Sequence, residues 1–171
     1  MDFFETVHQR ASVRNFSPCE IHEAQWEAML RAAMAAPSAV NRQPWDFVLV
    51  RDREVLTRLA ETLPYARMTA EAAGAVLVCA TPERAYDGST EFAVIDASLA
   101  CQNLLLAATA LGLGAVWTAV YPEKEREAAV RAILGVPEAV IPLALVPIGK
   151  PFGPVAAKDK FRRESIHEGS W

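Results

Sequence analysis

The stretch Asp96–Trp117, DASLACQNLLLAATALGLGAVW, sets the architecture of this chain. Up to Leu111 its five polar residues fall on two narrow stripes of a helical wheel, and the remaining circumference is apolar. We therefore predict a long helix surrounded by protein; its polar interruptions argue against a membrane span. Gly112 is a natural C′ residue at its end. The start lies at Asp96 or, because Thr90 and Glu91 form an acceptable cap, further upstream.

The composition predicts a protein with a sizeable core and a slightly negative surface. The 171 residues are 52% hydrophobic and carry a net charge of −4, which suits one domain that buries roughly 70% of its unfolded surface. The negative charge argues against nucleic-acid binding, although Lys158–Arg163 is locally basic. Cys19, Cys79 and Cys101 are widely spaced, which fits a reducing compartment. Since the N-terminus lacks a secretory signal pattern, we expect a cytoplasmic protein without a membrane partner.

Helical and strand-like patterns alternate along the chain. The order is helix, helix, strand, helix, strand, helix, strand, helix, strand, which predicts α/β or α+β architecture with about four strands. The last strand is expected to end at Ile148, broken by Gly149-Lys150-Pro151. Predicted strands are Phe47–Val50, Ala75–Ala80, Ala115–Val120 and Ile141–Ile148, and the clearest short helix is Glu23–Ala35.

Familiar catalytic patterns are absent from the sequence. His8, His22 and His167 lack ligand-like spacing, so no metal site is expected. No nucleophile elbow or cysteine signature occurs. Gly112-Leu113-Gly114 lacks the third glycine of a dinucleotide fingerprint and follows a helix; a helix C-cap with tight packing explains it better.

Arg10, Ser12 and Arg14 alternate just after a short N-terminal helix, with no acid between them. In an extended segment the three side chains share one side. Guanidinium groups match phosphate oxygens bidentately, and a serine hydroxyl adds a donor. The segment is therefore either an anion site or a solvated charged turn.

The stretch Pro37–Trp45, PSAVNRQPW, holds a hydroxyl and two amides between two prolines. The amides of Asn41 and Gln43 both donate and accept, which suits the edge of a heterocycle with adjacent C=O and N–H groups. The alternative is a helix-to-strand connector whose amides satisfy the backbone. The C-terminal tail is equally ambiguous, because it has few apolar residues yet ends in Trp171; it either frays or docks on a second subunit.

These motifs together resemble the nitroreductase family of FMN-dependent oxidoreductases. They occur in order from residue 10 to the C-terminus, so the resemblance covers nearly the whole chain. Each motif alone is of moderate specificity, and the ordered combination is specific. The matching motifs are Arg10–Arg14 (RASVR), Pro37–Trp45 (PSAVNRQPW), Asp96–Leu106 (DASLACQNLLL), Gly112–Trp117 (GLGAVW) and the ending from Ile166-His167 to Trp171.

The resemblance implies an α+β fold, a three-layer α/β/α sandwich around a long buried central helix. Its mostly antiparallel sheet would have about four to five strands, one of them contributed by the partner's C-terminal tail. Residues 1–171 would form a single domain, with residues 152–171 extending over the partner subunit. The implied assembly is a homodimer with one FMN in each of two interface clefts.

By the same resemblance, the first motif would hold the phosphate, ribityl and pyrimidine side of the flavin, and Pro37–Gln43 would approach from the other subunit. The backbone at Val116–Thr118 would face the flavin N5, where the hydride is carried, so no catalytic side chain is required. Gln102 and Asn103 would be core hydrogen-bonding residues. The implied cofactor-binding residues are Arg10, Ala11, Ser12, Arg14, Pro37, Ser38, Ala39, Asn41, Gln43, Val116, Trp117, Thr118, Gly149 and a tail cation, Lys160 or Arg162.

The implied reaction is ping-pong: NADH or NADPH reduces FMN, and a planar acceptor such as a nitroaromatic or a quinone then takes the electrons. The short Leu63–Gly74 and Thr81–Ser89 connections leave little material for a lid, which argues against dehalogenation. Two alternatives remain open, namely a flavin-binding protein for storage or sensing, and an enzyme of different flavin chemistry, such as flavin fragmentation or azoline oxidation.

Overall fold

The computed structural model describes residues 1–171 and contains five α-helices and a six-stranded sheet. Short 3₁₀ turns occupy Ala39–Asn41, Arg67–Ala70, Pro82–Arg84, Tyr86–Gly88 and Arg163–Ser165. The helices are α1 (Phe3–Gln9), α2 (Glu23–Met34), α3 (Arg53–Thr62), α4 (Thr90–Ala110) and α5 (Lys124–Leu134). The strands are β1 (Phe16–Ser17), β2 (Trp45–Val50), β3 (Gly74–Ala80), β4 (Gly114–Ala115), β5 (Thr118–Ala119) and β6 (Ile141–Pro151).

The sheet is antiparallel in the order β1-β6-β3-β2, and β4 and β5 also pair with β6. The predicted antiparallel character is confirmed. The sheet has six strands where four to five were expected. Three of the six are only two residues long, too short to give a strand pattern in the sequence. A strand contributed by a partner stays a prediction.

Two predicted strand boundaries were wrong. β6 does not end at Ile148: Gly149 pairs with Gly114, Lys150 with Ser17 and Pro151 with Phe16, so tertiary pairing overrides the local breaker signal. The predicted strand Ala115–Val120 is instead divided into β4 and β5. Both errors lie where strands pair with residues distant in sequence.

The layers of the fold follow from β3, whose seven residues are all buried and whose successive side chains point to opposite faces of the sheet. Val76 and Val78 pack with α2 and α4, whereas Leu77 and Cys79 point to the opposite core with α3 and α5. Burial raises the pKa of the Cys79 thiol to about 12, so this thiol stays protonated in the core. The sheet is therefore covered by helices on both faces, which confirms the α/β/α sandwich of the α+β class.

The ends of α4 are set by local capping. Ser89 is the N-cap, and its hydroxyl accepts a hydrogen bond from Phe92 N–H at 3.2 Å, so the upstream start is confirmed. At the other end Gly112 has φ 72°. The N–H groups of Gly112 and Leu113 donate to Thr109 and Ala108, the bonding pattern of a Schellman cap.

The expectation that α4 is enclosed on all sides is wrong for a single chain. Its small-residue face, centred on Ala97 and Ala100, is fully buried. A second stripe is exposed and runs through Phe92, Ile95, Leu99 and Gln102. By length and composition α4 passes as a possible membrane span, but it packs on α2 and the sheet as a core helix does.

The two neighbouring amides of α4 differ in role. Asn103 donates to the Ala32 carbonyl at 3.0 Å, which confirms it as a core hydrogen-bonding residue. Gln102 is exposed, so the same expectation was wrong for it, because its helical face has no covering element within one chain.

Residues 152–171 are exposed along their whole length. Trp171 is fully exposed and stacks only on His167, with ring centroids 4.2 Å apart. Phe152 and Phe161 each expose more than 70% of their surface. Docking of this tail on a second subunit stays a prediction.

Candidate active site

A cavity of about 420 Å³ lies between the segment after α1 and the start of the C-terminal tail. Four cations line it, and no carboxylate does. None of the four forms an ion pair with an acid of this chain. The charge and donor geometry suit an anion with several oxygens, such as a phosphate. The cationic residues are Arg10, Arg14, Lys158 and Lys160.

The first wall of the cavity is an extended segment fixed to the sheet. Val13 N–H donates to the Ala115 carbonyl at 3.1 Å, and Ser12 forms a parallel bridge with the same residue. Gly114 is required there, because a Cβ at that position would lie 2.7 Å from the Val13 side chain. The predicted extended conformation is confirmed, and Arg10, Ser12 and Arg14 all line the cavity.

The second wall is formed by the tail. Lys160 lines the cavity, as one of the two tail cations proposed from sequence, while Arg162 lies outside it. Lys158 also lines the cavity and was missed as a site residue. The available signal was the local excess of basic residues from Lys158 to Arg163.

The amide-bearing loop has a strained backbone. Val40, Asn41 and Gln43 have φ values of 52°, 55° and 51°, in the left-handed region that side chains rarely adopt. Ser38 Oγ accepts from Gln43 N–H at 2.9 Å, and the Gln43 amide donates to Asn41 Oδ1 at 3.0 Å. Strain of this kind concentrates at functional sites, where the surrounding structure maintains it.

Asp96 anchors this loop to α4 and was not identified as a site residue from sequence. Its carboxylate is 3% exposed and accepts from Ala39 N–H at 3.1 and 3.3 Å. At the far end of the loop, Thr81 N–H donates to Pro44 O and the Arg84 guanidinium donates to Trp45 O. The only sequence signal for Asp96 was its place on a polar stripe of an otherwise apolar helix.

The third group of candidate residues lies in the sheet beside the first wall. Ala115 bridges Ser12 on one side and pairs with Ile148 on the other, and Gly149 pairs with Gly114. Between β4 and β5, the N–H groups of Val116 and Trp117 make no backbone hydrogen bond. Neither N–H donates to a side chain of this chain either, and Val116 itself is buried.

Within one chain the candidate residues form two separate sets. Arg10–Arg14, Gly149 and the backbone near Val116 are neighbours through the sheet, and Thr118 is fixed by donating its hydroxyl to Leu145 O at 2.5 Å. The loop Pro37–Gln43 lines no part of the cationic cavity. No group of three or more side chains suited to holding a metal occurs in the structure.

The fold is that of an α+β protein with an antiparallel sheet covered by helices and a cationic cavity beside it. Comparisons with known proteins then identify the family. The model of the nitroreductase family matches residues 7–82 and 62–150. A protein of Methanothermobacter thermautotrophicus carries the inferred name NADH dehydrogenase/NAD(P)H nitroreductase. Its sequence is 40% identical to this chain, over all of this chain and 88% of the relative's own length.

Solved structures give the same result. A Parabacteroides distasonis protein with the same inferred name has a TM-score of 0.92 and 41% identity, covering 98% of both chains. The NADPH:FMN oxidoreductase of Vibrio harveyi, solved in complex with NAD⁺, has a TM-score of 0.85 and 25% identity, over 98% of this chain and 77% of that one. The chain belongs to the nitroreductase family and is an oxidoreductase.

Proposed function

We propose that this chain is an FMN-dependent NAD(P)H oxidoreductase that works as a homodimer and reduces nitroaromatic, quinone or similar planar acceptors. The observation that carries the proposal is the cavity with four cations and no acid, in a family that includes an NADPH:FMN oxidoreductase. A phosphate monoester carries a charge of about −1.5 to −2 at neutral pH. The cavity supplies the compensating charge and a hydroxyl donor from Ser12.

The residues fit FMN at both of its ends. Arg10, Ser12, Arg14 and a tail lysine would bind the phosphate and ribityl side. From there the sheet leads through Ala115 to the free N–H groups of Val116 and Trp117, which would face the flavin ring near N5. Gly149 is buried in β6, and its lack of a side chain leaves room for the Phe16 ring, which a Cβ at this position would meet at 3.0 Å.

The loop Pro37–Gln43 would complete the site from the partner subunit, because it lies outside the cavity of its own chain. Pro37, Ser38 and Ala39 would contribute backbone contacts, and Asn41 and Gln43 would present amides to the ring. Amides suit the pyrimidine edge of a flavin, where carbonyl and N–H groups alternate.

The residues above would hold FMN, and the cofactor would supply the hydride and electron transfer between NADH or NADPH and the acceptor. The protein's contribution is binding, orientation and electrostatics. A guanidinium near the pyrimidine edge stabilises the negative charge that reduction places there. Backbone N–H groups of Val116 and Trp117 would orient the ring and, unlike side-chain acids or bases, carry no charge that changes with pH.

The homodimer is supported by surfaces that one chain leaves uncovered. The stripe of Phe92, Ile95 and Leu99 on α4 and the aromatic residues of the tail are all exposed. We propose that residues 1–171 form one domain whose residues 152–171 extend over the partner, adding a strand to its sheet. We also propose a cytoplasmic location, in keeping with three free cysteines.

The visible spectrum of the purified protein tests this proposal. We expect a yellow protein that bleaches when NADH or NADPH is added without oxygen and regains its colour when a quinone or nitroaromatic is supplied. A colourless protein that takes up no added FMN would refute the proposal. Yellow protein that neither nicotinamide bleaches would support flavin storage instead.

A further inference from the structure

Asp96 is a buried carboxylate with a single hydrogen-bond donor. Both of its oxygens accept from the N–H of Ala39, which is 57 positions away in sequence. No basic side chain of the chain lies within ion-pair distance. Burying an acid without a countercharge costs free energy, so stability alone does not account for an aspartate at this position.

The loop that Asp96 holds needs an external restraint. Val40 is β-branched and sits at φ 52°, and Asn41 and Gln43 are also left-handed. A backbone in such a conformation relaxes unless surrounding contacts determine it. Ser38 supplies a contact from within the loop, whereas Asp96 fixes the loop to α4.

The exposed amides of Asn41 and Gln43 lie two and four positions after the anchored residue, Ala39. They are hydrogen-bonded to each other and to no other side chain. Because α4 is packed on the sheet, a bond from α4 to Ala39 also fixes the loop relative to the sheet. Losing that bond would leave the amides free to move together with the loop.

We propose that Asp96 is a positioning residue for the flavin site: its carboxylate holds Ala39 and so keeps the loop Ser38–Gln43 in the strained conformation that presents the two amides. The inference rests on the proposed function, in which this loop contacts FMN. Asp96 itself touches no ligand and acts only through the loop.

The test compares Asp96→Ala with Asn103→Ala. Both substitutions remove a partly buried, long-range hydrogen bond between α4 and a backbone group, but Asn103 bonds Ala32 in α2 and not the loop. The full-length wild type and both variants are titrated with FMN by fluorescence, and thermal unfolding is recorded alongside. The midpoint potential of the bound flavin is measured at saturating FMN.

We expect Asp96→Ala to weaken FMN binding about 10-fold, as loss of a bond to a charged group does. Its flavin potential should fall, since donors to the reduced ring are misplaced. Asn103→Ala should lower the unfolding temperature but leave FMN affinity within about twofold of wild type, because it leaves the loop in place. In flavin-free protein, amide hydrogen exchange over residues 38–43 should accelerate in the first variant only.

Equal FMN affinity and equal loop exchange in Asp96→Ala and wild type would overturn the inference, as would equal losses in the two variants. If Asp96→Ala does not fold, Asp96→Asn decides. Its neutral acceptor makes a weaker bond, so affinity should drop about threefold, and unchanged affinity refutes the role. A wild type that binds no FMN overturns the proposed function itself, and hydrogen exchange then still reports whether Asp96 holds the loop.

Discussion

The two walls of the cationic cavity are built in opposite ways. The wall at Ser12–Arg14 is fixed to the sheet by the Val13–Ala115 hydrogen bond and by Val13 packing on Gly114. The wall at Pro154–Lys160 is exposed throughout, and the last backbone bond before it joins Phe152 to Asn15. One half of the proposed phosphate site is thus formed by the fold, while the other half depends on contacts that a single chain does not supply.

Deleting the tail, which forms the second wall, should have the largest effect on FMN binding. A chain that ends at Gly153 should lose the dimer in sedimentation velocity and retain no FMN after dialysis. Its body should still unfold cooperatively, because no residue beyond Pro151 is buried. A truncated chain that remained dimeric would show that the tail is not an interface element.

Arg10→Ala removes a charge from the fixed wall. We expect FMN affinity to drop roughly 10- to 100-fold, the effect of losing charge-assisted hydrogen bonds to phosphate, with little change in the unfolding temperature. Arg58→Ala on the exposed face of α3 is the matched control and should bind FMN like wild type. Fluorescence titration measures both, and unchanged binding by Arg10→Ala would remove this arginine from the site.

Gly114→Ala displaces the fixed wall without touching a charge. The added Cβ meets Val13 at 2.7 Å, so we expect a loss of about 1–3 kcal/mol in the free energy of unfolding. FMN affinity should fall about fivefold as Ser12 moves, an energetic cost of roughly 1 kcal/mol.

Gly112→Ala provides the control for this substitution. Gly112 has φ 72° and open space around it, so alanine costs about 1–2 kcal/mol of backbone strain there. FMN binding should be unchanged. If the FMN titrations gave the same affinity for both variants, Gly114 would not determine the position of the first wall.

The smallest effect is expected at the exposed tail, where single cations act in solvent. Lys160→Ala should weaken FMN binding about threefold, and added salt should reduce the difference. Arg162→Ala should have no effect, because Arg162 does not line the cavity. A larger loss at Arg162 than at Lys160 would mean that the tail is arranged differently when FMN is bound.

Elements with local signals were predictable from sequence. Asp52 caps α3 by accepting from the N–H groups of Glu54 and Val55, and Gly135 ends α5 at φ 67°. The buried run of β3 also follows from its own apolar residues. In each case the physical cause lies within a few positions of the effect.

Features with distant causes were not predictable from the residues alone. The bond between Asp96 and Ala39 joins positions far apart in sequence, and the two-residue strands exist only through pairing with β6. Gln102 resembles a core residue by composition, but its environment depends on what lies outside the chain. Lys158 and Lys160 line the cavity whereas Arg162 and Arg163 do not, and the run of basic residues by itself does not separate the two pairs.

The pairing of β6 has a consequence for synthesis. Four of the other five strands bond directly to β6, which ends at Pro151, close to the C-terminus. Phe16 pairs with Pro151, which lies 135 positions later in the sequence. A nascent chain therefore holds β1, β3, β4 and β5 without their common partner until β6 has been synthesised. With pairings so distant in sequence, the sheet should assemble late and slowly.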